Sequence, residues 1–432
     1  MVTFASHFLF PSVRWFFRRR MEKVVARVNQ RLERPIEPFK LARRYDMIQR
    51  LIYDPEVSQA IAEYAQENGV PENVAFEKAK SYAREIVPSF SASAYFGFAI
   101  RLARFISNAL YRVRLGYHSE EGLAGIDKDA TVVFVMNHRS NMDYVLVTYL
   151  AAERSALAYA VGEWARVWPL SRLIKAMGAY FIRRRSRGDL YRRVLARYVA
   201  MATQAGVTQA MFPEGGLSLD GALAKPKMGL LKYITDGFQP DGRDVVFVPV
   251  ALNYDRVLED RILMAAGAAG TRRFRARISV ITGFFFKQIW LRIIGKYHRF
   301  GYAAVSFGAP VSLKQYSAAM QEIDAENLAA HLMEKIADVV PVVPVPLLSR
   351  VMLADETIAA ADLPKRMKNE AARIGRAHIH LPRKSYDYAA DIAVQHMRKR
   401  RMVQVSDGTL TINPDQRHAL VYYANTIAHL FE

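Results

Sequence analysis

Strand-like and helical segments alternate between residue 130 and about residue 312, and this alternation most restricts the possible folds. Apolar runs rich in β-branched and aromatic residues predict the strands. They lie near residues 131–136, 156–161, 178–182, 208–213, 245–251, 276–281 and 302–307. Helical patterns separate the earlier runs, as in parallel sheets that helices cover on both faces. We therefore expect an α/β fold with a mainly parallel central sheet flanked by helices.

A polar cluster, Asn-His-Arg-Ser-Asn-Met-Asp at residues 137–143, follows the first of these strands. Open α/β sheets usually bind ligands at the carboxyl ends of their strands. Asp143 can accept a hydrogen bond from one imidazole nitrogen of His138, which leaves the other nitrogen able to take a substrate proton. The same run also fits a helix start in which Ser140 and Asp143 form a cap and His138 is a loop residue. Both interpretations fit the run alone.

Three arginines, Arg183, Arg184 and Arg185, follow the strand-like run at 178–182. Guanidinium groups are suited to bind a phosphate through forked hydrogen bonds. A solvated basic turn is the ordinary alternative.

A carboxylate, Glu214, ends the strand-like run at 208–213, and Gly215 and Gly216 follow it. Two glycines permit the close approach of a ligand or of another backbone segment. A tight turn with an exposed glutamate is the ordinary alternative. Lys225 and Lys227 lie a few residues further on.

Pro249 interrupts the apolar run at residues 246–252. Because proline lacks the N–H group that a central strand needs, it predicts an edge strand, a bulge or a position that lines a ligand site. The edge strand is the simplest of the three.

The composition restricts the chemistry and the partners. The 432 residues include no cysteine, which excludes disulfides and thiol catalysis. No histidine spacing is typical of a metal site, so we expect neither a metal nor a cofactor. With 61 Lys and Arg against 41 Asp and Glu, the formal charge is +20. This charge favours anionic partners, namely nucleic acid, phosphorylated metabolites, an acidic protein or an anionic membrane.

Two aromatic and basic segments are candidates for membrane contact. Residues 95–115 predict an amphipathic helix, and residues 284–294 form an aromatic run with cations nearby. An ordinary surface helix and a core helix, respectively, are the alternatives to a position in the membrane interface. No run of about 18 apolar residues occurs, so we predict no transmembrane helix.

Four regions are expected along the chain. They are an N-terminal helical region (1–94), an α/β domain (95–338), an extended Pro-rich linker (339–349) and a small C-terminal helical and hairpin module (350–432). Asp407-Gly408 between two alternating runs predicts the hairpin turn. A basic helix before a hairpin also resembles a winged-helix element, which binds nucleic acid.

In this order the clusters resemble the four motif blocks of the glycerolipid acyltransferases, most of all those of the bacterial glycerol-3-phosphate / dihydroxyacetone-phosphate acyltransferase family. Residues 137–143 resemble the His-x4-Asp block and residues 178–184 the phosphate-binding block. Residues 212–216 with 225–227 resemble the third block, and residues 248–250 the fourth. The resemblance extends upstream to about Asp54 and downstream to residues 422–430, so it covers most of the chain.

The resemblance implies that His138 deprotonates a glycerol hydroxyl, which attacks a fatty acyl thioester, while Asp143 orients the imidazole. The residues that it implies in substrate binding are Arg139, Ser140, Arg183, Arg184, Glu214, Gly215, Gly216, Lys225, Lys227 and Pro249. The acyl group would pass from acyl-CoA or acyl-carrier protein to the sn-1 hydroxyl of glycerol 3-phosphate, giving lysophosphatidate. The protein would act peripherally at an anionic membrane surface, the cytoplasmic face of the inner membrane.

One departure from the family pattern concerns the acceptor. Leu217, Leu219 and Ala222 stand where the third block usually carries arginines. An acceptor other than glycerol 3-phosphate, either lysophosphatidate or dihydroxyacetone phosphate, is therefore an alternative. Nucleic-acid binding through the C-terminal module is a further alternative. We do not expect nucleic acid as a partner, because basic helices also bind anionic lipid.

Overall fold

A computed structural model describes residues 23, 25–150, 156–162, 170–183, 188–270, 290, 299–320, 323–374 and 379–432. The chain has a mixed α/β fold with a mostly parallel central sheet flanked by helices, as predicted. It forms two compact units. The first comprises Met1–Ala103 and Val147–Gln209, and the second comprises Arg104–Leu146 and Ala210–Glu432.

The elements of the described residues are numbered here in chain order. The helices are α1 (Pro38–Leu41), α2 (Arg44–Ile52), α3 (Pro55–Asn68), α4 (Glu72–Ile86), α5 (Ile100–Leu110, after a π-helical segment at Ser93–Ala99), α6 (Glu120–Ala124), α7 (Met142–Leu150), α8 (Leu170–Ala176), α9 (Asp189–Gln204), α10 (Gly229–Asp236), α11 (Asp260–Ala268), α12 (Leu313–Met320), α13 (Ala325–Ala337), α14 (Pro344–Asp355), α15 (Leu363–Ala372), α16 (Tyr386–Lys399) and α17 (Arg417–Asn425). The strands are β1 (Arg112–His118), β2 (Thr131–Met136), β3 (Ala158–Gly162), β4 (Tyr180–Ile182), β5 (Gln209–Met211), β6 (Val245–Tyr254), β7 (Tyr302–Phe307), β8 (Val311–Ser312), β9 (Thr357–Ala359), β10 (Val403–Ser406) and β11 (Thr409–Ile412).

The first unit is mainly helical and contains the parallel pair β3–β4. Helix α3 in this unit begins and ends at residues with the expected chemistry. Asp54 caps α3 by accepting a hydrogen bond from the Glu56 N–H, and Gly69 ends that helix in the left-handed region at φ 61°.

In the second unit the strand order β1-β7-β6-β2 contains one reversal. Strand β2 is parallel to β6, and β1 is parallel to β7, but β6 and β7 are antiparallel. Every residue of β2 and β6 is buried, because neighbouring strands and helices such as α13 pack around them. The reversal brings the amino ends of β1 and β7 to the sheet edge where β2 and β6 end.

Pro249 lies in the central strand β6, so the expected edge strand is wrong. The Pro249 carbonyl accepts a hydrogen bond from the Gly308 N–H (2.8 Å), which shows that its backbone polar groups face away from β2. On that side β8 pairs with Val246 and Phe247, while β7 begins to pair at Val250. The missing N–H therefore falls in the gap between two partner strands, where no ladder bond is lost.

The helix predicted over 95–115 ends at Leu110, and the residues after Tyr111 form strand β1. Arg112 and Arg114 alternate with Val113 and Leu115, and this period of two matches their pairing with β7. The predicted helix extended too far because Val113 and Leu115 fit the apolar face of a helix as well as one face of a strand.

The linker predicted to be extended is helical from Pro344 onward. Pro344 and Pro346 occupy the first turn of α14, where backbone N–H groups have no partner within the helix and proline is tolerated. Both prolines are buried.

The C-terminal hairpin is confirmed. Strands β10 and β11 pair with Ser406 opposite Thr409, and β9 adds a third antiparallel strand. Asp407 (φ 49°) and Gly408 (φ 73°) both have positive φ, as a type I′ turn requires.

Of the predicted strands, the one near 276–281 lies outside the described residues, and the others correspond to β2–β7. The aromatic run at 284–294 also lies outside them, apart from the exposed Trp290. In the described part of the chain, no helix is both long and apolar enough to cross a membrane.

Candidate active site

The site begins where β2 ends, and Asn137 fixes the direction of the chain there. Its side-chain amide donates to the Leu252 carbonyl (3.0 Å) and accepts from the Leu252 N–H (2.8 Å). The Asn137 side chain thus bonds the β6 backbone just beyond the last β2–β6 backbone pair. This fixes the position of the next residue, His138, where the chain turns away from the sheet.

His138 and Asp143 are hydrogen-bonded. His138 Nδ1 lies 2.9 Å from Asp143 Oδ2, and both side chains are buried. A proton on Nδ1 that is donated to the carboxylate leaves Nε2 as the unprotonated ring nitrogen. Among the described residues Nε2 has no hydrogen-bond partner, so it can accept a proton from a substrate hydroxyl.

Asp143 also caps helix α7, so the helix cap and the His138–Asp143 hydrogen bond occur together in the 137–143 run. Its Oδ2 accepts from the Arg139 N–H (2.8 Å) and the Ser140 N–H (3.0 Å). The Ser140 hydroxyl in turn accepts from the Met142 N–H (3.1 Å). The helix start therefore holds the carboxylate in the position from which it meets the imidazole.

Two groups that the sequence analysis missed hold the same run. The Tyr254 hydroxyl donates to Asp143 Oδ1 (2.5 Å), and burial beside that carboxylate raises the pKa of Tyr254 well above its usual value. Glu259 accepts from the Ser140 hydroxyl (2.7 Å) and from the Asn141 side chain (3.0 Å). Burial raises the pKa of Glu259, and these hydrogen bonds oppose that rise. Tyr254 is the last residue of strand β6, so its place at the end of an apolar run was a signal in the sequence. Glu259 lies in a loop, where no sequence motif marks it.

The Glu214 carboxylate links two backbone segments in this structure. Its Oε1 accepts from the His138 N–H (2.8 Å) and its Oε2 from the Ala224 N–H (2.9 Å). The side chain is 1% exposed. Burial raises its pKa, while the Arg139 cation and the two N–H donors lower it. Both oxygens thus accept from backbone N–H groups, whereas the family resemblance implies a role in substrate binding for Glu214.

Arg139 is also structural rather than open to a ligand. The side chain is fully buried, and its guanidinium donates to the carbonyls of Gly221, Ala222 and, at 3.5 Å, Thr426. The expectation that Arg139 contacts the substrate does not fit this geometry. The cation instead fixes the loop after Gly216 to the C-terminal segment.

Aromatic rings surround the imidazole. The Phe212 ring stacks on His138 with centroids 3.9 Å apart, and Tyr144 meets it edge-on at 5.6 Å. The histidine is 2% exposed. The stacking fixes the ring plane and excludes water, which strengthens the hydrogen bond to Asp143.

The remaining predicted residues of the third block adjoin this network. Gly215 has a φ of 67°, and a Cβ there would overlap the Lys227 side chain. The Lys227 N–H donates to the Pro213 carbonyl (2.8 Å), and the Ser218 N–H donates to the His138 carbonyl (3.0 Å). Gly216 is buried and Lys225 is exposed.

Arg183 belongs to the first unit and is engaged in an ion pair there. Its guanidinium holds the buried Glu85 through contacts of 2.6–3.1 Å and lies over the rings of Tyr82 and Tyr191. The hydrogen bonds to Glu85 raise the pKa of Arg183. Arg184 lies outside the described residues.

No group of three or more His, Asp or Glu side chains in the described residues is placed to hold a metal ion. The second unit thus presents a histidine–aspartate pair with a free imidazole nitrogen at the carboxyl end of a buried strand. That arrangement can move a proton from a hydroxyl group.

Two family models match the chain. The model described as Acyltransferase matches residues 118–253, which include the His138–Asp143 pair. The site therefore lies within a region that matches an acyltransferase family model. The model for the glycerol-3-phosphate acyltransferase C-terminal region matches residues 290–432. Both matches agree with the resemblance found in the sequence, since each model describes an acyltransferase region.

Curated relatives agree with these matches. The glycerol-3-phosphate acyltransferase of Pseudomonas syringae pv. syringae (strain B728a) is 28% identical over 303 residues, 69% of this chain and 35% of that protein. The enzyme of the same name from Pseudomonas fluorescens (strain SBW25) is 26% identical and covers 95% of this chain and 51% of its own length. The chain spans about a third to a half of the length of these relatives.

One solved structure is also similar. The 1-acyl-sn-glycerophosphate (LPA) acyltransferase, PlsC, from Thermotoga maritima is 16% identical and covers 64% of this chain and 95% of its own, with a TM-score of 0.31. A TM-score of this size does not by itself establish a common fold.

Proposed function

We propose that the protein transfers a fatty acyl group from acyl-CoA or acyl-carrier protein to the sn-1 hydroxyl of glycerol 3-phosphate, giving lysophosphatidate. The observation that carries this proposal is the 2.9 Å contact between His138 Nδ1 and Asp143 Oδ2, with Nε2 free. The names of the curated relatives support glycerol 3-phosphate as the acceptor.

In the proposed mechanism, His138 Nε2 takes the proton of the acceptor hydroxyl as its oxygen attacks the thioester carbonyl. Asp143 holds the imidazole tautomer and stabilises the imidazolium. The new C–O bond forms, the C–S bond breaks, and the imidazolium returns its proton to the leaving thiolate. General base catalysis of this kind is typically worth about 10²–10⁴-fold.

The test is acyl transfer by the full chain in which His138→Ala and Asp143→Asn are made separately. We expect each variant to lose at least about 100-fold in kcat. His418→Ala is the matched control, because His418 is exposed and lies outside the His138 network. Near-normal turnover by a folded His138→Ala variant would show that the histidine is not the base.

An alternative acceptor, lysophosphatidate or dihydroxyacetone phosphate, is favoured by one feature. Leu217 and Leu219 replace the arginines usual in the third block, which leaves less positive charge for a small phosphorylated acceptor. Competition between the three acceptors at equal concentration decides between them. If lysophosphatidate is acylated preferentially, it is the acceptor in place of glycerol 3-phosphate.

We further propose that the protein acts peripherally at an anionic membrane surface. Phe98 and Phe105 are 54% and 60% exposed, and Arg101 and Arg104 are exposed between them. Such a segment can insert its rings into the membrane interface while its cations meet lipid phosphates. Flotation with anionic vesicles should be reduced in the Phe98→Ser/Phe105→Ser variant, and equal flotation of both proteins would exclude these rings as the contact.

A further inference from the structure

The second unit contains a cavity of about 540 Å³ that the acyl-transfer proposal does not use. Its walls come from the amino ends of β1 and β7 and from helix α16. We call it the cationic cavity. The lining residues that matter here are Arg112, Arg299, Tyr302, Tyr388, His396 and Lys399.

Three of its cations lack a carboxylate partner. Arg112, Arg299 and Lys399 are exposed, and none of them forms an ion pair within the described residues. Asp391 is the one acidic residue among those that line the cavity. By contrast, the adjacent Arg400 is ion-paired with Asp260. The cavity therefore keeps an excess of positive charge available to a ligand.

One of these cations, Arg112, is also held in place. Arg112 Nη1 donates to the hydroxyl groups of Tyr302 (3.3 Å) and Tyr388 (3.4 Å). A guanidinium fixed in this way loses less conformational entropy when it binds an anion. The two tyrosine hydroxyls can still donate their own protons to a ligand oxygen.

His396 responds to the same positive charge. Its pKa is lowered to about 4, first by burial and then by the neighbouring cations Lys399, Arg256 and Arg112. Asp391 is the nearby lining group of opposite charge. At neutral pH His396 is therefore uncharged, and an anion in the cavity would raise its pKa.

The cationic cavity lies at the same sheet edge as His138. Because β7 runs antiparallel to β6, its first residues adjoin the end of β6, where Ala303 pairs with Tyr254. Two or three strand spacings separate β2 from β7 and β1, which is a lateral distance of about 10–15 Å. The pantetheine arm between the phosphates of CoA and its thioester can cover a distance of this order.

We propose that the cationic cavity binds the phosphate groups of a CoA thioester while its acyl end reaches His138, an assignment that rests on the proposed function. CoA carries a pyrophosphate and a ribose phosphate, which match three unpaired cations. The arm of acyl-carrier protein carries one phosphate. The charge count therefore favours CoA as the donor.

The first experiment measures binding without turnover. Calorimetry uses full-length protein with His138→Ala and titrates CoA, inorganic phosphate and donor-free anionic vesicles. The Arg112→Gln/Arg299→Gln/Lys399→Gln variant should bind CoA at least about tenfold more weakly. The control Lys314→Gln/Lys365→Gln/Lys368→Gln loses the same charge at exposed lysines that form no ion pair in the described part of the chain, and it should bind as the parent does. Equal CoA affinity in both variants, or binding of vesicles alone, would overturn the proposal.

The second experiment separates this proposal from the acyl-transfer proposal. With His138 intact, the triple cavity variant should raise the KM for acyl-CoA about tenfold and leave the KM for glycerol 3-phosphate unchanged. Normal turnover with an unchanged KM for acyl-CoA would overturn the cavity assignment alone. An effect on acyl-carrier protein but not on acyl-CoA would also overturn it. If the three cations are needed for CoA binding but the parent protein shows no acyl transfer, the proposed function is refuted and the cavity assignment is not.

Discussion

Tyr254 donates a 2.5 Å hydrogen bond to Asp143 on the carboxylate oxygen opposite the one that meets His138. The phenol thus fixes the rotation of the carboxylate. We expect Tyr254→Phe to lower kcat about tenfold while the KM for the acceptor stays unchanged, since the base is retained but less well oriented. Steady-state kinetics and the pH profile of kcat check this.

Tyr111→Phe is the matched control for Tyr254→Phe. The Tyr111 ring packs 5.3 Å from that of Tyr254, but its hydroxyl donates to the Arg256 carbonyl and does not contact Asp143. Equal losses of kcat in the two variants would mean that the tyrosine acts through packing alone.

Replacing Arg139 separates a structural role from substrate binding. We expect Arg139→Gln to lower the free energy of unfolding by about 2–4 kcal/mol, because the buried Gly221 carbonyl loses its donor and the Ala222 carbonyl keeps only the Ser218 hydroxyl. Chemical denaturation measures this. A higher KM for glycerol 3-phosphate with unchanged stability would restore the substrate-binding role expected from the sequence.

Gly221 is irreplaceable for a geometric reason. Its φ is 89°, and a Cβ at this position would overlap the main-chain carbonyl of Tyr422. Gly221→Ala should destabilise the protein by more than about 2 kcal/mol. In Gly229→Ala the new methyl meets no atom within 4 Å, so we expect a neutral or slightly stabilising effect there. Similar melting temperatures for the two variants would show that a Cβ at Gly221 does not collide with the Tyr422 carbonyl.

Lys40 makes stability depend on pH. Its ammonium lies over the Phe90 ring and donates to the Ala156 carbonyl (2.7 Å), and burial lowers its pKa from 10.5 to about 7. Between pH 7 and 10.5 the unfolded chain therefore binds more protons than the folded chain. Stability relative to Lys40→Met should rise with pH in this range, by up to about 1.4 kcal/mol per pH unit. Parallel unfolding curves would contradict the shift.

The fold was predictable to the extent that it follows from local pattern. The apolar run at 131–136 has the boundaries of β2, and Asp407-Gly408 forms the expected turn. The error at Pro249 arose because a proline destabilises a strand only where a neighbouring strand needs its N–H group. Which strand lies beside Pro249 depends on long-range pairing. The error at Pro344 arose because two prolines fit the first turn of a helix as well as an extended chain.

The candidate site was predictable in part. Residues 137–143 contain both members of the histidine–aspartate pair, which lie close in sequence. The supporting groups come from far away, since Tyr254 and Glu259 are more than 110 residues from Asp143 and Ser140. The burial of Arg139 was not predictable, because its surroundings at Gly221 and Thr426 depend on the packing of α17, which no local pattern encodes.

The contact between Arg139 and Thr426 joins residues 287 positions apart. On the ribosome, residues 137–143 are made long before α17, so the loop at Gly221 acquires its partners at Tyr422 and Thr426 only after α17 has been made. A nascent chain that is released early, or cut before α17, retains the complete His138–Asp143 sequence but lacks this support. Such a fragment would separate the sequence of the pair from the packing that holds it.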